Sequence, residues 1–498
     1  MSLMEECQIW NENDEYQKII DAIEALPEEE LGPELVSELA RAYNNIAGTD
    51  DRELYQKAID LLESVEENFE NDHNWNFRIA YAYYYLDEEG PALHYFKRAL
   101  EARPGDEDTM EYIDDCRKRL ALPVFEKPFR QRTQDSWAAF QGGEAGLRRL
   151  LDQKDQEAAG TELIAACEKL LAPAFSDISF EMGFNGEKYE LILTPEGDRS
   201  KLFQLVYFRR HAPEALLERW NILVGRQPSH GFGLRFLEQE ISGSDVQAWV
   251  ETRWDKPENT RISLTLFCEK LQPLLREDED KAWWLLSILL DQVLGEIPAM
   301  ERIDGFNVVD TPKTEDGILL EMLPQTLESM GLNLDCDPDR ILEEGYSVYE
   351  MEPDEDPDAD WRMDVFAGVT RCPAIINEYL SGESDIMNAF HRDGAVPGFF
   401  YYPLDGFHEE EGRSSKVLDF RDAVEAAVLE AAGDDAVTFL GGASGRFCGY
   451  LDFIAWDLIP VLDAARAFFS ASRLEWASFH TFRRDVGAIL LADNSPKE

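Results

Sequence analysis

The sequence predicts a multidomain protein in which all-α hairpins at the N-terminus precede two α+β domains with mainly antiparallel sheets. Two observations predict this fold class. Small and aromatic residues recur at the spacing of a helical hairpin in residues 71–105, and after Pro173 the apolar pattern changes to the period of two that half-buried strands show. A chain of 498 residues has room for about two to four domains with cores of their own.

The clearest helical pattern is NDHNWNFRIAYAYYYLDEEGPALHYFKRALEARPG at residues 71–105. The turn DEEG separates two predicted helices, because glycine ends a helix at little cost and Pro91 suits the first turn of the next helix. The small side chains of Ala80, Ala92 and Ala99 let these helices approach closely. The aromatic side chains of Tyr83 and Phe96 fill the space between neighbouring hairpins. The stretch resembles a tetratricopeptide repeat (TPR), a hairpin of about 34 residues that closes with a proline such as Pro104.

A single hairpin cannot bury its own apolar face, so neighbouring hairpins are expected. Residues 5–26 and 34–70 have suitable apolar spacing, and residues 106–120 are expected to form a solvating end helix. The sequence therefore predicts a TPR-like helical repeat domain at residues 1–120. The two prolines within residues 121–132 predict a linker after it.

Residues 133–300 predict an α+β domain. Helices are expected up to Leu171, and three segments then alternate like strands of an antiparallel meander: ISFEMGF, KYELILT and KLFQLVYF, starting at residues 178, 188 and 201. A helix is expected at residues 213–224, further strands follow, and the apolar helix at residues 281–294 is expected to pack over one face of the sheet.

Residues 301–498 predict a second α+β domain with a C-terminal ββαββ subdomain. The glycine-rich turn GGASGR at residues 441–446 follows a strand, as phosphate-cradling loops do. The residues after it predict another strand, whereas a phosphate loop opens a helix. A hairpin or bulge turn is therefore the better interpretation.

The composition is strongly acidic. The chain has 101 acidic and 47 basic residues, a formal net charge of −54. Such a surface repels nucleic-acid phosphate and anionic lipid, so neither nucleic acid nor a membrane is expected as a partner. The charge favours a basic or neutral protein or peptide partner, or serves solubility alone. With no secretory signal and no apolar run of membrane-spanning length, the expected location is the cytoplasm.

No metal, cofactor or catalytic residue is predicted. The seven cysteines are scattered and contain no CxxC pair. Aspartates alternate in residues 354–360, but an EF-hand loop needs a glycine and a bidentate glutamate where this sequence has Ala359 and Val365. GxSxG and HExxH motifs are also absent from the sequence.

Two groups of side chains are candidate sites. The first helices of the hairpins present Asn44, Asn45, Asn76 and Arg78, which are candidates for the partner-binding surface that the TPR resemblance implies. A basic island in the acidic chain comprises Arg446, Arg473, His480, Arg483 and Arg484. Because arginines fork onto carboxylate or phosphate groups, the island is a candidate anion site, whereas pairing with nearby acidic residues is the simpler interpretation.

These features favour a non-enzymatic protein-protein interaction or adaptor protein with a TPR-like docking surface. Two alternatives remain open from the sequence. The acidity also suits an immunity-type protein that neutralises a basic toxin, and the basic island also suits an enzyme with an anion-binding site in the C-terminal subdomain.

Overall fold

The computed structural model describes residues 2–49, 51–69, 71–153, 156–229, 233–236, 239–253, 261–313, 316–356, 360, 362–407 and 413–495. Contacts divide the chain into two compact units. The first contains Met1–Arg130 together with Val348–Glu498, and the second contains Gln131–Ser347. The N-terminal helices and the C-terminal strands therefore belong to one unit.

The N-terminal part of the first unit consists of short helices arranged as successive hairpins, which is compatible with helical repeats. The helices are α1 (Leu3–Glu12), α2 (Tyr16–Glu24), α3 (Pro33–Ile46), α4 (Arg52–Glu63), α5 (His73–Tyr85), α6 (Glu89–Ala102) and α7 (Glu107–Ala121). Local sequence defines their starts. Asp72 accepts a hydrogen bond from the Trp75 N–H (2.8 Å) at the start of α5, and Asp106 accepts one from the Thr109 N–H (3.1 Å) at the start of α7.

Four of the five predicted packing positions of the hairpins are buried and Tyr83 is partly exposed, whereas the end helix differs from its prediction. Ala80, Ala92, Phe96 and Ala99 have no exposed surface. The sequence predicts a solvating helix at residues 106–120, but α7 shares its apolar cluster with Val486 from the C-terminal part of the same unit. The helix is therefore covered by residues that lie far away in the chain.

The second unit begins within α8 (Phe129–Leu151) and combines helices with three sheets. Its other helices are α9 (Gln156–Leu171), α10 (Arg199–Arg210), α11 (Glu214–Leu217), α12 (Gln272–Glu277), α13 (Glu279–Leu294), α14 (Glu296–Arg302), α15 (Leu323–Ser329) and α16 (Pro338–Glu344). Its strands are β1 (Ser179–Phe184), β2 (Tyr189–Thr194), β3 (Trp220–Val224), β4 (Gly233–Phe236), β5 (Gln239–Ser242), β6 (Val246–Arg253), β7 (Arg261–Cys268), β8 (Ile303–Val308) and β9 (Ile318–Leu319). The described strands pair in the orders β1-β2-β3, β4-β5 and β8-β7-β6-β9.

Two segments of this unit differ from their predictions. KLFQLVYF forms part of α10 instead of a third meander strand, because Asp198 accepts hydrogen bonds from the N–H groups of Ser200 and Lys201 and starts a helix there. Residues 213–224 form the short helix α11 and then β3, which pairs with β2 in parallel. β8 pairs with β7 and β9 pairs with β6, so this sheet crosses the boundary predicted at residue 300, and the unit that holds it ends at Ser347.

The C-terminal part of the first unit is built on a seven-stranded sheet, mostly antiparallel, with the order β10-β11-β13-β14-β12-β15-β16 among the described strands. The strands are β10 (Ser347–Glu350), β11 (Val365–Thr370), β12 (Val396–Pro403), β13 (Val437–Gly445), β14 (Cys448–Ala455), β15 (Trp476–Thr481) and β16 (Ile489–Asp493), and the helices are α17 (Pro373–Ser381), α18 (Asp385–Asp393), α19 (Arg413–Ala432) and α20 (Leu458–Ala471). The predicted α+β class with mainly antiparallel sheets is confirmed.

The ββαββ order at the C-terminus is present as β13, β14, α20, β15 and β16, with β12 inserted between β14 and β15 in the sheet. Most of the glycine-rich segment, residues 441–445, lies within β13 next to a β-bulge between Phe439 and Gly441, and the chain reverses at residues 446–447. It is a hairpin with a bulge, as the sequence predicts. Among the described residues, no helix combines the length and apolar character needed to cross a bilayer.

Polar contacts join the helical hairpins to the C-terminal sheet region within the first unit. His391 Nε2 lies 3.0 Å from Glu89 Oε2, and Arg392 pairs with Glu88 at 3.1 Å. Lys97 pairs with Asp485. The segment predicted as a linker takes part in the same packing, since Phe125 contacts the His391 ring with centroids 4.9 Å apart.

Candidate functional site

A cavity of about 350 Å³ lies on the hairpins, between α3, α5 and the turn that leads into α7. We call it the repeat groove. Its lining is polar and aromatic and consists of Arg41, Asn44, Asn45, His73, Asn74, Phe77, Arg78, Tyr81, Arg103, Asp106 and Asp108. The groove therefore combines side chains from two separate hairpins and from the start of α7.

Three of the four partner-binding candidates line this groove and one does not. Asn45 is exposed and donates to Asn11 Oδ1 (3.1 Å), while Asn44 is buried and donates to the Arg78 carbonyl oxygen (2.8 Å). Asn76 is fully buried and donates to the Asp72 carbonyl oxygen (2.8 Å). Asn76 thus lies within the hairpins and stabilises the first turn of α5.

The charges of the groove are balanced by ion pairs within the hairpins. Arg78 donates to Ser37 Oγ and to Glu38 Oε1, each at 2.6 Å, and Arg41 also pairs with Glu38. Arg103 lies 3.7 Å from Asp106. Burial lowers the pKa of the Arg41 guanidinium. A partly buried groove with matched charges favours a neutral ligand, because a charged one would have to break an existing pair.

Two buried polar atoms on the groove residues have no hydrogen-bond partner within the described part of the chain: Arg41 Nε and Asn44 Oδ1. Leaving such an atom unsatisfied costs about 1–3 kcal/mol. One atom is a donor and the other an acceptor, and their residues are one helical turn apart on α3. A peptide backbone, which offers a C=O and an N–H from each non-prolyl residue, carries groups that are complementary to both atoms.

Several groove residues are not among those predicted from the sequence, although helical spacing indicates them. Arg41 precedes Asn44 by three residues on α3, and Tyr81 follows Phe77 by four on α5, so each pair occupies one helix face. Arg103 and Asp106 come from the turn between α6 and α7. The position of that turn depends on how the hairpins stack, which local spacing does not encode.

Three side chains of the basic island, by contrast, are bound to other groups of the same unit. His480 has no exposed surface, lies between the carbonyl oxygens of Thr481 (2.5 Å) and Val486 (3.2 Å), and has its pKa lowered by burial. Arg483 is 3% exposed and donates to Asn388 Oδ1 (2.7 Å), and burial lowers its pKa to about 10. Arg484 pairs with Asp360 at 2.5 Å.

The remaining island residues lie at the other end of the sheet. Arg446 follows β13 and pairs with the exposed Glu355 at 2.8 Å, and the exposed Arg473 precedes β15. Along β12, Pro403 pairs with Cys448 at this end, while Gly398 pairs with Thr481 at the end near Arg483. Five residues of strand span about 17 Å. The five island residues therefore do not converge on one site.

Among the described residues of the second unit, cavities of about 800 and 610 Å³ are also present. A lysine at each is already matched: Lys313 pairs with Glu251 at 2.7 Å, and Lys270 pairs with Asp245 at 2.8 Å. None of the island residues lines either cavity or the repeat groove. In the part of the chain that the structure describes, no group of three His, Cys, Asp or Glu side chains is placed to hold a metal ion.

Comparisons of the chain with protein-family models, with curated proteins and with solved structures found no match. The repeat groove, with its balanced charges and its unsatisfied donor and acceptor, is therefore the feature on which a functional assignment rests.

Proposed function

We propose that this protein is a non-enzymatic binding protein whose repeat groove holds an extended segment of a partner protein. The observation that carries the proposal is the buried pair of unsatisfied atoms, Arg41 Nε and Asn44 Oδ1, on residues that line a cavity of about 350 Å³. The backbone of a peptide carries both the acceptor and the donor that these two atoms need.

Helix caps and packing hold the groove residues in place, which favours binding. Asp72 and Asp106 cap the helices that carry or flank the groove residues, and the same hairpins pack against the C-terminal part of their unit through Glu89, Lys97 and Val486. A side chain held in place before binding loses less conformational entropy when the ligand arrives. Preorganisation of this kind increases affinity without any additional contact.

The resemblance of the hairpins to TPRs supports the same role, because contact between proteins is the usual function of that family. The charge balance in the groove favours a neutral segment. Glu38 neutralises part of the charge of Arg41 and Arg78, so neither an acidic nor a basic segment gains a free counter-charge there.

A displayed library of random peptides, selected on the full chain, tests the proposal. The selected peptides are then titrated against wild type, Asn44→Ala and Arg41→Ala. We expect each substitution to weaken binding by about tenfold, since a buried hydrogen bond to a ligand contributes about 1–1.5 kcal/mol.

Asn13→Ala is the matched control, because Asn13 is an exposed asparagine on the first hairpin that donates to the Ile9 carbonyl oxygen, away from the groove. It should bind like wild type. Selected peptides that bind equally well to wild type, Asn44→Ala and Arg41→Ala would show that the groove is not the binding site.

A further inference from the structure

A row of aromatic rings runs along α5 on the side of the repeat groove. His73, Phe77, Tyr81 and Tyr85 follow one another at intervals of four residues, and all four are partly exposed. Successive ring centroids lie 5.9, 6.3 and 4.6 Å apart. The first three rings line the cavity, and the fourth stacks on Tyr55 at 5.3 Å. We call these four residues the aromatic row.

The spacing of the row matches an extended chain. At about 1.5 Å per residue of α-helix, the row covers about 18 Å. A polyproline II segment rises about 3.1 Å per residue, so about six of its residues cover the same length, and about four of them lie over the three rings that line the cavity. Grooves lined by aromatic rings are a common docking surface for such segments.

The polar groups of the groove fit the same ligand. A polyproline II backbone forms no internal hydrogen bonds, so its carbonyl oxygens are free to accept from the Arg41 Nε–H. Prolyl rings are neutral, which suits a groove whose three arginines, Arg41, Arg78 and Arg103, are offset by Glu38, Asp106 and Asp108. Asn44 Oδ1 needs an N–H donor, which proline lacks, so one ligand residue opposite Asn44 must be another amino acid.

We propose that the repeat groove binds a proline-rich segment in the polyproline II conformation, with its rings on the aromatic row and one non-prolyl N–H donated to Asn44. This inference rests on the proposed function and specifies the chemistry of the partner. The segment enters already extended, so it loses little conformational entropy on binding.

Fluorescence anisotropy with the full chain tests the inference. The probe is a labelled peptide of repeated Pro-Pro-Ala, about nine residues long so that it extends past both ends of the row. Gly-Ser, oligo-Glu and oligo-Lys peptides of the same length and label are compared with it. We expect the Pro-Pro-Ala probe to bind at least about tenfold more tightly than any of the other three.

Substitutions on α5 show whether the rings are responsible. Tyr81→Leu replaces the ring by a smaller aliphatic side chain, removes its aromatic face and should weaken binding of the Pro-Pro-Ala probe by about fivefold to tenfold. Tyr81→Phe keeps the ring and should bind like wild type. Tyr83→Leu is the matched control, since Tyr83 stacks on Tyr95 (5.9 Å) and donates to Glu63 instead of lining the groove. Thermal melts identify any variant that has lost its fold.

The outcomes distinguish failure of the proline-rich ligand from failure of the proposed function. If the oligo-Glu, oligo-Lys or Gly-Ser probe binds as tightly as Pro-Pro-Ala, or if Tyr81→Leu binds like Tyr83→Leu, the proline-rich ligand is wrong. The proposed function nevertheless stands if peptides selected from the random library lose affinity on Asn44→Ala. If no selected peptide responds to Asn44→Ala or Arg41→Ala, both proposals fail.

Discussion

The repeat groove and the basic island are both groups of polar residues that stand out in the sequence, and the structure uses them in different ways. In the groove, Asn44, Asn45 and Arg78 come from two hairpins and meet at one cavity. In the island, Arg446 and Arg483 lie at opposite ends of the same sheet and each has its own partner. Closeness in the sequence is therefore a weaker guide to a site than a shared face of stacked helices.

The physical difference lies in what satisfies the polar atoms. Arg483 and His480 are buried with partners from their own unit, so their polar groups stabilise the fold. Arg41 and Asn44 are also largely buried, but each retains an atom without a partner among the described residues. Four predictions test this difference, and they are ordered from the largest expected effect to the smallest.

Arg483→Ala should reduce the free energy of unfolding by about 3 kcal/mol, because it opens a cavity and leaves Asn388 Oδ1 without its donor. Urea denaturation of the full chain measures the loss. Arg473→Ala is the matched control, since Arg473 belongs to the same island but is exposed, and it should change stability by less than about 0.5 kcal/mol. Equal effects of the two substitutions would contradict a structural role for Arg483.

His480 should make the first unit less stable in mild acid. Burial holds the pKa of His480 below that of an unfolded histidine, so the unfolded chain takes up the proton first as the pH falls. Stability is therefore full above about pH 6.5 and falls below it by up to about 1.4 kcal/mol per pH unit. His480→Gln should remove this part of the pH dependence of stability. If the difference in the free energy of unfolding between wild type and His480→Gln stays constant from neutral to acid pH, His480 is not the source of the acid sensitivity.

Glu38→Gln should change the charge preference of the repeat groove. Glu38 pairs with both Arg41 and Arg78, so its neutralisation removes the carboxylate that both guanidinium groups share and makes the net charge of the groove more positive by one. We expect the oligo-Glu peptide to bind about fivefold more tightly, equivalent to about 1 kcal/mol. Glu24→Gln removes a carboxylate that pairs with Lys57 on the same hairpins and serves as the control. An unchanged oligo-Glu affinity would show that the groove is not balanced by Glu38.

Arg446→Ala should have the smallest effect. Its ion pair with Glu355 is exposed, with 46% and 83% of the two side chains accessible to solvent. Exposed pairs contribute about 0.5 kcal/mol or less, and peptide affinity should not change because Arg446 does not line the groove. A loss of peptide affinity in Arg446→Ala would indicate that the basic island takes part in peptide binding.

The parts of the fold that follow from local chemistry could be predicted from the sequence. The small positions Ala80, Ala92 and Ala99 are buried between the hairpin helices, and the strands around the glycine-rich turn form the expected hairpin. The segment KLFQLVYF was misassigned because α10 is buried nearly all round and its apolar residues therefore appear to alternate. Asp198, an N-cap residue just before it, was the signal that favoured a helix.

Long-range packing could not be predicted in the same way. No local pattern places β12 between β14 and β15, or brings Val486 into the apolar cluster of α7. The candidate site shows the same limit. Helix spacing is enough to identify Asn44 and Arg78 as candidates. The burial of Asn76 and the separation of Arg446 from Arg483 depend on tertiary contacts, which local spacing does not encode.

Photo-crosslinking at one exposed residue from each region tests the central claim most directly. Asn45→p-benzoylphenylalanine places the reactive group at the repeat groove, and Arg473→p-benzoylphenylalanine places it on the basic island. Each full-length variant is irradiated with the same library-selected peptide, and the covalent product is measured by mass spectrometry. We expect a crosslinked peptide from position 45 and none from position 473. Crosslinking at position 473 without any at position 45 would contradict it.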